Sequence, residues 1–302
     1  MITAALLWLM LCLGFAGAAP QLIEHALPAT AVRLTVASSV ALTATGGFVF
    51  GSLAATWVGQ RPVVAHISDL NAAKLHAVSP IPNSASLLAA VVLLAACASL
   101  AVRVWCGVAA QRTVRNAAGS CHEEDTVVVL EDSRAEAFAT PGRHGRIVIT
   151  TGLLSALQPA ERDALLAHEQ AHLRHAHACW RLIMQVTAAA NPLLLRVCPA
   201  TDHAMERWAD EDAAAQVGDR RLVARTVARV SLMKKHGTTA AVGLALAATG
   251  GDVPARVRAL LAPRRSRGRA AAIALAVFLA GALVTAVLMQ RTADGLFDAA
   301  TR

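Results

Sequence analysis

At 302 residues, 56% apolar and only 16% charged, the chain is too poor in charge for an ordinary soluble protein, in which roughly a quarter of residues are charged. The apolar excess gathers in four long runs, the pattern of an integral membrane protein. A net charge of +8 does not point to direct nucleic-acid binding, because no nucleic-acid motif is present and the basic residues crowd towards membrane ends.

Residues 2–19 carry no charge and at ~1.5 Å per residue span roughly 27 Å, near the thickness of a hydrocarbon core. A cleaved signal peptide is the rival reading. The missing basic n-region and the immediate Pro20 favour a retained helix. Residues 34–58 form the second span, with Trp57 at its interfacial end. Within it, Gly47-x-x-x-Gly51 could let a partner helix approach, as in a homo-oligomer, although packing inside the bundle is the simpler reading. A polar loop at 59–84, with Pro62, Pro80 and Pro82, leads to a third span at 85–109 that closes with Arg103 and Trp105.

Residues 111–269 change character and hold 22 of the 28 Lys+Arg and 16 of the 20 Asp+Glu. Strands are predicted at 126–130, 136–139 and 146–150, the last two joined by the turn Pro141–Gly145. A helix should start at Pro159, with Glu161 and Asp163 in its first turn, and run to about His177. A second is expected from Cys179 to Asn191-Pro192, and a third from Thr201 or Asp202 to about Gly218. Further helices are predicted at 220–235 and 254–262. Segment 239–250 is apolar but too short to span. Residues 263–269 place four arginines before the last span at 270–289, after which thirteen residues follow. That flank assigns 111–269 to the cytoplasm and both termini to the outside, and it also suits anionic lipid. The six cysteines include no CxxC pair, so no disulfide framework is expected and a reducing compartment is acceptable.

The chemistry centres on His168-Glu169-Gln170-Ala171-His172, an H-E-x-x-H stretch inside a predicted helix. Residues four apart share one helix face, so both imidazoles can reach one metal ion, with Glu169 beside them as general base. A catalytic zinc usually takes three protein ligands. The best third donor is Glu206, 34 residues beyond His172 on a later helix. Asp210, one turn on, could accept a hydrogen bond from the free ring N–H of a ligating histidine. His175, on the same helix as the motif, is a rival third ligand, but a third donor from one continuous helix has difficulty closing a tetrahedron. His177 and His203 read as exposed or as outer partners of the site, and His122 and His144 carry no signal. One of the strands at 136–139 or 146–150 could offer a free edge to an extended peptide; an ordinary hairpin explains them equally well.

This constellation resembles the BlaR/MecR-type membrane metallopeptidases, gluzincins related to the HtpX-like and CAAX-prenyl proteases. The pieces that carry the resemblance are Ala137-Phe-Ala-Thr-Pro-Gly142, Ile147–Leu154, His168–His172, Asn191-Pro192, Glu206-Arg-Trp-Ala-Asp210 and Arg256–Leu261, in order over about 125 residues. The resemblance implies one zinc ion per chain, held by His168, His172 and Glu206, with Glu169 as catalytic base. It implies a mainly α chain: four transmembrane helices, with a cytoplasmic α+β zincin-like domain and its small sheet inserted between the third and fourth. The parts are then 1–110, 111–269 and 270–302.

The implied function is zinc-dependent cleavage of a cytoplasmic protein, a DNA-binding repressor of the BlaI/MecI kind, at the lipid bilayer. HtpX-like quality control of membrane proteins is the alternative enzyme. A non-proteolytic scaffold with a structural zinc site is the alternative of another class, disfavoured because such a site needs no Glu169. Residues 290–302 are too short for an extracellular sensor domain, so β-lactam sensing by this chain alone is not expected.

Overall fold

The computed structural model describes residues 2–59, 82–117, 127–140, 145–237, 253–263 and 268–301. Most of the loop 59–84, the turn 141–144, segment 239–250, Cys121, His122, His144 and the arginines at 264, 265 and 267 lie outside them.

Four helices are long and apolar enough to cross a membrane. They are α1 (Ile2–His25), α2 (Pro28–Gly59), α3 (Asn83–Ala117) and, last in the chain, α10 (Arg269–Thr301). Each exceeds its predicted run. α1 continues through Pro20, because the turns beyond it still bury Ile23 and Ala26. The expected tail after 289 is helical as far as Thr301. α1, α2 and α10 pack on one another, whereas α3 leans on α2 with only 11% of its most apolar window buried.

Several polar groups inside the bundle are paired, as a hydrocarbon surrounding favours, although the buried Oγ1 atoms of Thr35 and Thr43 have no hydrogen-bond partner among the described residues. Trp8 Nε1 donates to Leu42 O at 2.7 Å, Ser38 Oγ to Leu275 O at 3.3 Å and Thr45 Oγ1 to Ala282 O at 3.2 Å. Gly46 makes room for Trp8, since a Cβ there would lie 2.6 Å from the indole. Gly47 and Gly51, singled out from the sequence, meet nothing within 4 Å. The close approach uses the neighbouring glycine instead.

The sheet has the order β1-β3-β2, with β1 (Val127–Leu130) parallel and β2 (Ala137–Thr140) antiparallel to the central β3 (Arg146–Thr150). Ile147 and Ile149 of β3 are fully buried against Leu153 and Leu165. A short α4 (Thr151–Ala156) follows directly. Gly152 is required at its start, because a Cβ would fall 2.2 Å from Ser133 O.

α5 (Pro159–Arg174) starts where the sequence placed it, with Gln158 N donating to Glu161 Oε2 at 3.0 Å. It ends earlier than expected. Ala176 takes a left-handed conformation (φ 50°, ψ 43°) and α6 (His177–Ala190) begins at once. After a 3-10 turn at Pro192–Arg196, α7 (Cys198–Val217) begins before the expected Thr201, with Pro199 in its first turn. It stops at Gly218, whose φ of 79° suits glycine. α8 (Arg220–Gly237) and α9 (Val253–Leu261) pack together and on α7.

α6 and α7 share one apolar core with the spanning helices. Met184, Ala204, Met205 and Trp208 join Phe15, Ile23, Val32 and Leu275 in a single cluster. Arg207 Nη1 also donates to Glu24 O at 3.0 Å, at the end of α1. The helix carrying Glu206 is therefore seated on the bundle.

Candidate metal centre

α5 and α7 lie side by side, and the facing turns bring His168, His172 and Glu206 together. His168 Nε2 and His172 Nε2 are 3.2 Å apart. Glu206 Oε2 lies 3.5 Å from His168 Nε2, and its Oε1 lies 3.6 Å from His172 Nε2. Ligand atoms about 2.0–2.1 Å from a tetrahedral ion stand roughly 3.3–3.4 Å from one another. The three donors already form a triangle of nearly that size, and two imidazole nitrogens, a carboxylate and no thiol suit zinc. The residues therefore fit the ion that the sequence motif implies. Glu169 is buried next to them but belongs outside the triangle.

Each donor is held from behind. His168 Nδ1 lies 3.0 Å from Asp210 Oδ1, close but off the hydrogen-bond axis. Asp210 is gripped by Arg256, whose Nε and Nη2 donate to its two oxygens at 2.7 Å each. Arg256 Nη1 also lies 3.1 Å from Glu206 Oε2, and Arg181 Nη2 lies 3.6 Å from Glu206 Oε1. His172 Nδ1 meets His177 Nδ1 at 2.8 Å.

The charges explain the protonation pattern. Burial raises the carboxyls of Glu206 and Asp210, but His168 and Arg256 more than reverse it and hold both below their ordinary values. Burial opposes a proton on His168, yet the close carboxylates of Asp210 and Glu206 raise it to about 9. For His172 burial outweighs the pull of the Glu206 carboxylate and lowers it to about 3. Burial also raises Glu169 above its ordinary carboxylate value.

Zinc binding at neutral pH should therefore release one proton, from His168, and apparent affinity should rise about tenfold per pH unit until about pH 9. Calorimetry in buffers of different ionisation enthalpy measures this directly. No proton release at pH 7 would mean that His168 is neutral in the empty site.

Of the residues named from the sequence, His168, His172 and Glu206 come together, with Asp210 and Glu169 beside them. His175 does not join. α5 has ended before it, and its Nε2 lies 3.2 Å from Asp212 Oδ2 while its ring stacks on Trp208 at 4.4 Å. His177 is fully buried on the outer side of His172, and His203 is half-buried. Sequence reasoning gave no role to Arg256, known only as the first residue of a weak closing motif. Its one local signal is an arginine on a short helix whose other inward positions, Val257 and Leu260, are apolar. Arg181 carried no signal.

Residues 108–208 match the family model of peptidase family M48. The match includes the three donors and Glu169 and stops short of Asp210 and Arg256. A protease HtpX homologue of Acidiphilium cryptum is 46% identical over 65 residues, 20% of this chain and 21% of that protein. A protease HtpX homologue of Thermoanaerobacter pseudethanolicus is 34% identical over 71 residues, 23% of each. The matched stretch thus spans about a fifth of the length of these curated relatives. No solved structure matches. These likenesses support an M48-type metallopeptidase and do not single out the BlaR/MecR type.

Proposed function

We propose that the chain is a membrane-embedded zinc endopeptidase, with residues 111–269 as its catalytic part on the cytoplasmic side. The observation that carries this reading is the triangle of His168, His172 and Glu206, with Glu169 buried beside it and with Glu206 on a helix, α7, that shares a core with the spanning bundle. Bound there, zinc would supply Lewis-acid polarisation of a peptide carbonyl and lower the pKa of a water. Glu169 takes the proton from the attacking water and returns it to the leaving amine. Asp210 and Arg256 keep His168 and Glu206 in place. β3 is paired on both sides and has no free edge, so β2, which packs against α5, is the strand to which an extended substrate would add. Ala137 O on β2 is taken by Lys234 Nζ at 3.1 Å.

Membrane proteins are the favoured substrates. The named relatives are HtpX homologues, and the site helix α7 rests on α1 and α2. Cleavage of a cytoplasmic repressor is the second reading, favoured by three candidate spans before the site and one after it together with the sequence resemblance. A purely structural zinc site leaves the buried Glu169 unexplained.

The purified full chain should cleave an unfolded membrane-protein substrate, lose that activity in 1,10-phenanthroline and regain it with stoichiometric zinc. Cleavage that continues after the metal has been removed rules out the reading. Replacing the wild type with Glu169→Gln in cells then separates the substrate classes. Many stabilised membrane proteins support quality control, and one stabilised DNA-binding protein supports regulation.

A further inference from the structure

The two histidines of the centre are backed differently. Behind His168 stands a carboxylate, Asp210, but behind His172 stands another histidine. His172 Nδ1 and His177 Nδ1 are 2.8 Å apart, and two nitrogens at that distance share one proton. His177 is fully buried at the first position of α6, and the left-handed Ala176 turns the chain so that its ring comes back against His172. The ring also packs on Trp208, centroids 5.0 Å apart, against which Arg33 of α2 lies at 5.1 Å. Its Nε2 has no hydrogen-bond partner among the described residues.

We propose that His177 is a positioning residue that holds His172 in its metal-binding tautomer by accepting its Nδ1–H. The inference rests on the metal-centre reading above. If His172 binds a metal through Nε2, its own proton must sit on Nδ1 and point at His177. His177 must then offer a lone pair at Nδ1 and keep its proton on Nε2. Metal binding thus fixes the tautomer of a histidine that never touches the metal. In the opposite arrangement, with His177 donating, the proton of His172 sits on Nε2 and blocks the donor triangle. The Nε2–H of His177 is then a buried donor without a partner among the described residues, which is the cost of serving as acceptor on the other side.

The test compares wild type, His177→Phe and His177→Asn as full chains in detergent, with zinc affinity measured by competition against a chromophoric chelator. Phe keeps the ring packed on Trp208 and removes the acceptor. Asn removes the ring but places a carbonyl oxygen where the histidine has Nδ1. Zinc binding should weaken about 10- to 100-fold in His177→Phe, the usual effect of losing a ligand's outer partner, and recover in His177→Asn. A merely structural role predicts the reverse order. In wild-type protein, 15N imidazole shifts should show His177 passing wholly to the Nε2–H form when zinc is added, a readout that survives even if a variant fails to fold. Undiminished affinity in His177→Phe, weaker binding in His177→Asn than in His177→Phe, or an Nδ1–H tautomer in the zinc-loaded protein overturns the proposal. None of these measurements requires proteolysis, so a chain that binds zinc but cleaves nothing would sink the functional reading and leave this one intact. A wild type that binds no zinc would sink both.

Discussion

Glu169→Gln should bind zinc as the wild type does and lose about 10²- to 10⁴-fold in cleavage rate, the usual contribution of a positioned general base. Glutamine has the same shape as the buried glutamate, and residue 169 is not one of the donors, so the triangle of His168, His172 and Glu206 is untouched. What disappears is proton acceptance. Burial holds Glu169 above its ordinary 4.5, which is useful in a base that must take a proton and give it back. Zinc content by metal analysis and single-turnover cleavage should be measured on the same preparation. Full activity in this variant removes Glu169 from the chemistry. Loss of zinc instead would make it part of the metal's support.

Arg256→Ala should be the most destabilising single change near the site, by about 3–5 kcal/mol. That is the range expected when one member of a buried ion pair is removed and the other stays behind. Arg256 is only 7% exposed and makes two 2.7 Å hydrogen bonds to Asp210 as well as its contact with Glu206. Without it, Asp210 loses both of its hydrogen-bond donors, and of its two arginine contacts Glu206 keeps only the longer one, with Arg181. Lysine should not restore stability, because it lacks the planar fork that engages both oxygens of Asp210. Asp210→Ala added to Arg256→Ala should recover part of the loss by removing the stranded charge, while zinc binding stays weak. Asp210 titrates below its ordinary 3.8 in the folded chain. The stabilisation is therefore present above that pH and is lost as acid carries the solution through the lowered value. Thermal unfolding of the zinc-free protein across pH tests both the size and the sign. A change within 1 kcal/mol of wild type would mean that Asp210 finds another partner.

The difference between Glu206 and Arg256 shows what made a residue legible. Glu206 was readable because H-E-x-x-H demands a third donor and E-x-x-x-D on a later helix offers one. Arg256 lies 46 residues beyond Asp210, on α9, and nothing in its local pattern says which helix it will meet. The helix start at Pro159 was readable from Pro159 and Glu161, and the end at Gly218 from its glycine. The break at Ala176 was not, because alanine carries no turn signal and a left-handed residue of this kind costs about 1–2 kcal/mol, repaid only by what it brings into contact. The helix ends around the apolar runs were not readable for a related reason. Hydropathy marks the apolar stretch, whereas the helix continues for as long as its backbone bonds and inward contacts do.

The sequence by itself determined the four apolar runs, the H-E-x-x-H motif with its candidate donors, and the sign of the charge before the last span. All of these are written in neighbouring residues with a helical or strand period. Asp210 was readable as a partner of a ligating histidine; only the tertiary structure decided that this histidine is His168, that Arg256 grips Asp210 and that His177 stands behind His172. It alone also seated α7 on the spanning bundle. Those arrangements depend on the angle between packed helices and on one strained turn, and neither is a property of any short stretch of chain.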